Sequence, residues 1–357
     1  MRQIKQQTAA VGRTIFLATV FAAAITVVAS PDDPKGFAQA RGGLESTRLF
    51  RIGTGGAQGT YFPIGSLIAR AISDRDASCA EAAPCGVPDL LAVAQQSNGS
   101  VSNVEAISAG VLEAGLVQAD VAHWAYTGTG VFAKKEKRAD IRAIASLYRE
   151  SVHLVVRRNS GMETMKDLVG RRISLDEPGS GTLVDARIVL DAHGLEERDL
   201  KPVYIKPQYA AEKLTEGTLD GFFIVAGFPT MSVMELASRN AATLLPIDRE
   251  TATRIQRTYP FLTPSVIPAK TYPGIPTTGT LSVYAQLLVS AELSDEVAYM
   301  ITRELWSERT KKLLTEGHPK GQEIRLESAL QGVPIPLHPG AEKFYRERGL
   351  LSSASRN

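Results

Sequence analysis

The chain has 357 residues, of which 44% are apolar and 22% charged, and its formal net charge is +2. This length is sufficient for two domains that each bury a sizeable core, and the composition is ordinary for a globular protein. The near-neutral charge argues against diffuse electrostatic attraction to DNA or to a membrane surface. No nucleic-acid partner is therefore predicted.

Residues 1–40 have the pattern of a signal peptide. A basic leader precedes an apolar run, mainly Ile15 to Val28, and Ala38-Gln39-Ala40 then provides the small-x-small motif that signal peptidase cuts. The alternative is an uncleaved membrane anchor, because the run approaches the length that spans a bilayer. We predict export with cleavage after Ala40.

The two cysteines, Cys79 and Cys85, lie in one short loop that also contains proline and glycine. In an exported chain this spacing favours a small-loop disulfide. A metal-binding pair is the alternative, but His123 is the one histidine within forty residues of the two cysteines.

The first predicted unit begins with a strand at Leu49 to Ile52, followed by a loop containing four glycines and a helix that begins near Pro63. Proline suits the first turn of a helix because its missing N–H would have had no partner there. A strand, a glycine loop and a helix N-terminus together present N–H groups and a positive dipole end to an anion.

Strands and helices then alternate, which indicates a mainly parallel sheet covered on both faces. A polar turn at Ser97 to Asn103 leads into a short helix. Further strands are predicted at Leu90–Gln95, Gly115–Gln118, Ile141–Tyr148 with a continuation through Val152–Val156, and within 166–175.

A second unit repeats this order. The loop from Asp176 to Thr182 follows a strand and precedes a helix over Leu183 to His193. The stretches Ala109–Asp120 and Glu216–Gly227 also match, since each runs from a helix through a glycine, a leucine and an acidic residue into a strand. Two tandem α/β units explain this echo, although any two helix–strand junctions share some features.

The last third combines an irregular and a regular part. Prolines between Pro246 and Gly279 predict an irregular surface stretch. Leu281 to Val289 is predicted as a strand, and Ser294 to Trp306 as a helix with Ser294 as N-cap. The remaining C-terminal residues are expected to pack back on the first unit.

The motifs do not support an enzyme. The glycine loop lacks the Gly-Lys-Ser/Thr ending of a phosphate-binding loop and the acidic partner of a dinucleotide fingerprint. Gly179-Ser180-Gly181 is not a nucleophile elbow, which requires Gly-x-Ser-x-Gly. The five histidines are far apart in the sequence, so no metal, cofactor or catalytic residue is predicted.

The chain resembles the TAXI-type solute-receptor subunits of tripartite ATP-independent periplasmic (TRAP) transporters. The matching segments occur in family order. They are Ile52–Gly65, Asn98–Asn103, Gln118–Asp120, Ser146–Tyr148, Val152–Val156, Glu177–Thr182, Ala226–Thr230 and Thr271–Gly274.

This resemblance implies an α/β protein with the type II periplasmic-binding-protein fold, in which two lobes joined by two hinge strands enclose a ligand cleft. The expected organisation is a signal peptide (1–40), lobe I (41–148), lobe II (149–285) and a return to lobe I with the C-terminal tail (286–357). The implied function is capture in the periplasm of a small organic anion, such as glutamate, 2-oxoglutarate or another carboxylate, and its delivery to TRAP-type membrane permease subunits. The alternatives are a periplasmic sensor that signals to a partner and an enzyme acting on a small carboxylate.

Candidate ligand-binding residues come from loops at strand ends, where ligands of α/β sheets bind. Asn98, Ser100, Asn103 and Gln118 supply neutral hydrogen-bonding groups, but each is also typical of a turn, a cap or a solvated strand end. Arg187 is the cation nearest the second loop in the sequence, although a surface position is equally compatible with the pattern. The full predicted set is Gly55, Gly56, Ala57, Gln58, Thr60, Tyr61, Asn98, Ser100, Asn103, Gln118, Asp120, Gly179, Ser180, Gly181, Thr182, Ala226 and Gly227.

Overall fold

The computed structural model describes residues 47–73 and 85–352. The predicted signal peptide (1–40) and Cys79 lie outside these residues, so cleavage after Ala40 and the Cys79–Cys85 disulfide stay predictions. Among the described residues, no helix is both long and apolar enough to span a membrane.

The first half of the described chain alternates strands with helices, as predicted. Its strands are β1 (Arg48–Gly53), β2 (Leu90–Gln95), β3 (Ala114–Gln118) and the long β4 (Ile141–Arg157), and its helices are α1 (Tyr61–Ile72), α2 (Ser100–Ser108) and α3 (Ala119–Thr127).

The second half repeats the alternation and ends in helices. Its strands are β5 (Arg172–Ser174), β6 (Lys201–Val203), β7 (Gly221–Ala226), β8 (Ala242–Leu245), β9 (Thr263–Ile267) and β10 (Thr278–Ser290). Its helices are α4 (Gly181–Ala192), α5 (Pro207–Thr215), α6 (Met231–Ser238), α7 (Arg249–Thr258), α8 (Asp295–Leu305), α9 (Glu308–Gly317) and α10 (Pro339–Glu347).

The strands pair in the order β2-β1-β3-β10-β4-β7-β5-β6, with β8 beside β4 and β9 beside β10. The pairs β2-β1-β3 and β7-β5-β6 are parallel, whereas β10 and β4 are antiparallel to their neighbours. Residues 141–151 of β4 pair with β10, and residues 151–156 pair with β7. The two long strands therefore belong to both halves of the sheet.

The two halves have the same topology. The order β2-β1-β3 in the first half corresponds to β6-β5-β7 in the second, and in each half a helix connects successive strands. The stretches that echo one another in the sequence are the α2–β3 and α5–β7 junctions. The predicted tandem units are confirmed.

Local sequence explains where key helices begin. Ser180 is the N-cap of α4 and its Oγ accepts a hydrogen bond from Leu183 N at 3.0 Å. Ser294 caps α8 as predicted, with Oγ accepting from Val297 N at 3.4 Å. In both cases a hydroxyl satisfies one of the backbone N–H groups that a helix leaves unpaired at its start.

The prediction of an irregular stretch from Pro246 to Gly279 is wrong in part. Asp248 caps α7, because its carboxylate accepts from Thr251 N at 2.8 Å. β9 then pairs with β10 at the edge of the sheet, where Pro264 is tolerated because one side of an edge strand needs no ladder donor. Proline density alone therefore gave the wrong prediction here.

The C-terminal segment packs on the first half, as predicted. α10 contacts α8, Leu337 forms a bridge with Ala143 of β4, and Tyr345 donates from its hydroxyl to Ile144 O at 3.0 Å. Phe344 and Tyr345 are buried in the same apolar core as α1. This return closes one face of the first half-sheet.

Candidate functional site

A cavity lies where the carboxyl ends of the strands of both halves meet. The cavity volume that the centres of water molecules can occupy is about 60 Å³. This volume is enough for a few ordered waters. Its walls come from the loops after β1, β2 and β5, from β4 and β7, and from the start of α5. The lining residues are Gly55, Gly56, Gln58, Gly59, Thr60, Tyr61, Ser97, Asn98, Gly99, Ser100, Gln118, Glu150, Asp176, Ser180, Gly181, Thr182, Lys206, Pro207, Gln208, Ile224 and Val225.

The side-chain amide of Asn103 anchors the glycine loop after β1. Asn103 is fully buried, and its Nδ2 donates to Thr54 O and to Leu116 O, both at 2.8 Å. Its Oδ1 accepts from Ser97 Oγ at 2.7 Å. Asn103 thereby joins the ends of β1, β2 and β3, and its polar atoms are occupied by protein partners.

Four helices begin at the cavity. α1 starts at Tyr61, α2 at Ser100, α4 at Gly181 and α5 at Pro207, and all four residues are in the cavity wall. Helix N-termini present N–H groups and a positive dipole end. This arrangement favours a negatively charged group of a bound molecule.

The hinge strand β4 contributes a buried acid. Glu150 is 2% exposed and its Oε2 accepts from Tyr61 Oη at 2.7 Å. Burial raises its pKa to about 8, because removing a carboxylate from water disfavours the charged form. Glu150 is therefore largely uncharged at neutral pH and presents a neutral carboxyl to the cavity.

The loop after β5 contributes a second acid. Asp176 has φ +71° and is 8% exposed. Burial, together with the neighbouring Glu177 carboxylate, raises the pKa of Asp176 to about 7. Lys206 provides the positive charge in the cavity wall, and its Nζ lies 3.8 Å from Glu177 Oε2.

Hydrogen bonds join the two halves around the cavity. On one side Thr60 Oγ1 donates to Gly227 O at 2.8 Å, and Thr230 Oγ1 donates to Gln58 O at 2.9 Å. The other side is closed by loops that carry the predicted polar residues. There Asn98 Nδ2 donates to Pro178 O at 3.1 Å and Ser102 N donates to Gly179 O at 3.0 Å.

The structure brings most of the predicted binding residues to this cavity. Those that line it are Gly55, Gly56, Gln58, Thr60, Tyr61, Asn98, Ser100, Gln118, Ser180, Gly181 and Thr182. The predicted residues outside the wall are Ala57, Asn103, Asp120, Gly179, Ala226 and Gly227. Ligand contact by any of these residues stays a prediction.

The residues outside the wall have other contacts. Ala57 is exposed on the loop, whereas Gly179 and Gly227 accept, through their carbonyl oxygens, the hydrogen bonds that cross between the halves. Asp120 is fully buried behind Gln118. Arg187 pairs with Glu197 away from the cavity, which agrees with its interpretation as a surface charge.

Sequence reasoning missed the charged part of the wall. Glu150 lies between the strand predicted at Ile141–Tyr148 and its predicted continuation through Val152–Val156, near the centre of β4, and this position is the signal that could have identified it. Asp176 and Lys206 follow β5 and β6. The rule that ligands bind at carboxyl ends of strands points to these positions once both strands are identified.

A comparison with protein-family models matches residues 52–349 to the NMT1-like family. The chain belongs to the NMT1-like family. The match extends from β1 to the end of α10, so it includes both halves of the sheet and every residue of the cavity wall.

This NMT1-like protein is also similar to solved structures. A protein from Bordetella bronchiseptica RB50 matches with a TM-score of 0.50 and 16% identity, over 85% of this chain and 82% of that one. The binding-protein component of an ABC phosphonate transporter from Pseudomonas aeruginosa gives 0.48 and 11%, over 87% and 91%. The alkanesulfonate-binding protein SsuA from Xanthomonas axonopodis pv. citri, bound to MOPS, gives 0.44 and 16%, over 85% and 94%. At these identities the likeness concerns the fold.

The predicted fold class is confirmed. This NMT1-like protein has two α/β lobes that share β4 and β10, with a cleft between them. Lobe I contains β1–β3 with α8–α10, and lobe II contains β5–β9. Both long strands run across the predicted lobe boundaries after residues 148 and 285, so the exact boundaries stay predictions.

Proposed function

We propose that this protein is a periplasmic solute receptor that encloses a small organic anion between its lobes and delivers it to a membrane permease. The observation that carries the proposal is the cavity itself, since loops and helix N-termini of both lobes form one wall. A solute that contacts both lobes at once stabilises the closed form by its differential affinity for it.

The chemistry of the wall supports a carboxylate as the bound group. The N-termini of α1, α2 and α4 provide partial positive charge, and Ser100, Thr182 and Lys206 add donors. Glu150 does not oppose an anion while it is protonated, and in that form its O–H is a donor.

The transporter class in this proposal is the TRAP type, with this chain as its TAXI receptor. The support is the set of sequence segments, from Ile52–Gly65 to Thr271–Gly274, that resembles such receptors in family order. The same segments contain the glycine loop and the loop before α4 that line the cavity. A sensor that passes its signal to another protein is the second candidate, and the sequence and cavity are compatible with it.

Native mass spectrometry of the protein purified from its own periplasm tests the solute class. We expect a co-purified species whose mass corresponds to a small carboxylate, or saturable binding of L-glutamate or 2-oxoglutarate by titration calorimetry. Turnover of the bound compound would instead indicate an enzyme. A stable complex with permease subunits in a pull-down separates the transport receptor from the sensor.

A substitution in the glycine loop tests the site. Gly56→Val adds a side chain toward Gln208, whose Oε1 lies 3.4 Å from the position of a Cβ at residue 56. We expect at least a tenfold loss of affinity with an unchanged melting temperature. Ala133→Val, which introduces the same side chain on an exposed turn, is the control. Equal affinity of the two variants would contradict this location of the site.

A further inference from the structure

Two buried carboxyl groups face each other across the lobe interface, behind the cavity. Asp120 is the second residue of α3 in lobe I and Asp185 lies near the start of α4 in lobe II. Both residues are 0% exposed and their carboxyl groups are within hydrogen-bonding reach of one another. Neither residue belongs to the cavity wall.

The two carboxyl groups accept few other hydrogen bonds. Asp185 Oδ2 accepts from Gln118 Nε2 at 2.5 Å. Within the described residues, both carboxyl oxygens of Asp120 and Oδ1 of Asp185 lack a well-aligned hydrogen-bond donor. Two ionised carboxylates have acceptors only, so they form a mutual hydrogen bond only when one of them carries a proton.

Within residues 47–73 and 85–352, no positive side chain is paired with either carboxyl group. From the elements packed against α3 and α4, the titratable group that faces Asp185 is another acid, Glu150 of β4. Glu105 of α2 is paired with Lys135, and Arg254 of α7 donates to a backbone carbonyl at the far end of α4. Burial and then the Asp120 charge keep the pKa of Asp185 well above its usual range.

We propose that the Asp120–Asp185 pair is a proton-dependent latch between the lobes, which takes up one proton when they close and releases it when they open. This proposal rests on the lobe closure of the proposed function, and on no particular solute. In the open form each carboxyl group is hydrated and ionises near pH 4. The closed form holds one additional proton between the two groups, so acid favours closure and alkali favours opening.

The expected size follows from linkage. A difference of one bound proton changes the ratio of closed to open molecules by up to tenfold per pH unit. The change extends from the pKa of the open form, near 4, up to the higher pKa of the pair in the closed form. A receptor with this latch would hold its solute more tightly in an acidic periplasm.

The experiment measures the radius of gyration of the ligand-free protein by small-angle X-ray scattering between pH 5 and pH 8.5. We expect the radius to increase with pH in the wild type. Asp185→Asn replaces the protonated acid with a neutral amide of the same shape, which donates to Asp120. We therefore expect this variant to remain closed to a higher pH than the wild type, with a smaller change of radius. The response that remains belongs to Glu150 and Asp176, whose pKa values are also raised by burial in the cavity wall.

Matched variants separate the latch from other acids. Glu150→Gln removes a buried carboxyl of the cavity wall and leaves the pair intact, so it should retain the part of the pH response that Asp185→Asn loses. Asp120→Asn tests the pair from the other lobe and should reduce the response as Asp185→Asn does, and far-UV circular dichroism confirms that each variant is folded. A constant radius in the wild type, or an equal pH response in the wild type and both Asp→Asn variants, would overturn the proposal. Because no solute is present, failure to identify a bound carboxylate does not affect this result.

Discussion

Gly181 illustrates how a single residue permits the lobes to meet. A Cβ at this position would lie 1.4 Å from Gln118 Oε1, an overlap that real structures do not show. The backbone of Gly181 is at the first position of α4 and does not require a positive φ. The glycine is therefore needed for the approach of lobe I and not for the conformation of lobe II.

We predict that Gly181→Ala favours the open form. Alanine is a better helix former than glycine, so the thermal stability of lobe II should be retained, while the radius of gyration increases and solute affinity falls at least tenfold. The double variant Gly181→Ala with Gln118→Ala removes the two closest overlapping atoms and leaves Ser100 Oγ at 2.9 Å from the new Cβ, so it should restore most of the compactness. If Gly181→Ala alone remained as compact as the wild type, the steric argument would be wrong.

Burial also determines the charge of residues within the hinge. His153 of β4 is 1% exposed, and burial lowers its pKa to about 4. Its Nε2 lies 3.0 Å from Tyr272 Oη and its Nδ1 lies 2.8 Å from Ser151 O. Because the folded-state pKa lies below the unfolded value near 6.5, protonation of this ring disfavours the folded state.

We predict that part of the unfolding free energy is lost as the pH falls from about 6.5 to about 4, since the unfolded chain then binds a proton that His153 excludes. His153→Gln keeps a hydrogen-bonding group and should flatten this part of the profile. Urea titrations at pH 7 and pH 5 measure the change. An equal pH response of the two proteins would show that His153 does not contribute.

In lobe II the carboxylate of Asp220 links three strands, β7, β5 and β4. Asp220 immediately precedes β7 and accepts from Arg172 N at 2.9 Å and Arg172 Nε at 3.0 Å on β5. It also pairs with Arg157 at the end of β4, at 3.2 Å. The hydrogen bonds from Arg172 lower the pKa of Asp220 to about 2, so its carboxylate is charged throughout the physiological range.

We predict that Asp220→Asn lowers the unfolding free energy at pH 7 by about 1–3 kcal/mol, because a nearly buried charge-assisted network loses its acceptor. The stabilisation is present above the unfolded pKa near 4 and is lost as the pH falls toward 2. Urea denaturation measures the loss. Asp191→Asn, at an exposed position of α4, is the control, and equal stability of the two variants would contradict the prediction.

For the molecule as a whole, buried contacts join the two lobes outside the cavity wall. Thr230 is 2% exposed and its hydroxyl donates to Gln58 O across the cleft. Lys320 of lobe I, also 2% exposed, places its Nζ 4.0 Å from the centre of the Phe228 ring of lobe II. These contacts stabilise the closed form without touching an enclosed solute.

We predict that Thr230→Val reduces the ratio of closed to open molecules by a factor of about 2–12, which corresponds to about 0.5–1.5 kcal/mol for one hydrogen bond. Valine keeps the shape but not the hydroxyl, and the cavity wall is unchanged. Solute affinity and scattering measure the shift. Thr302→Val is the control, because its hydroxyl bonds Ala298 O within α8. A similar shift in both variants would contradict an interlobe role of Thr230.

Local sequence was sufficient to predict the repeated α/β units. The glycine loop before Pro63, the Ser180 and Ser294 caps and the echo between 109–120 and 216–227 act over a few residues, so pattern and propensity indicate the helices and strands around them. The family resemblance added the two-lobed arrangement. The prediction for the proline-rich stretch at 246–279 was wrong in part, because the pairing of β9 with β10 is a long-range interaction.

The charge of the site, in contrast, depends on how the lobes pack. Glu150, Asp120 and Asp185 are separated by tens of residues, and nothing in their local sequence distinguishes them from surface acids. Burial at the junction of two lobes removes them from water and raises their pKa values. Desolvation depends on what the rest of the chain places around a group. The loops of the cavity wall and Asp120 could therefore be selected from the sequence, whereas the burial of Asp120 and the positions of Glu150 and Asp185 could not.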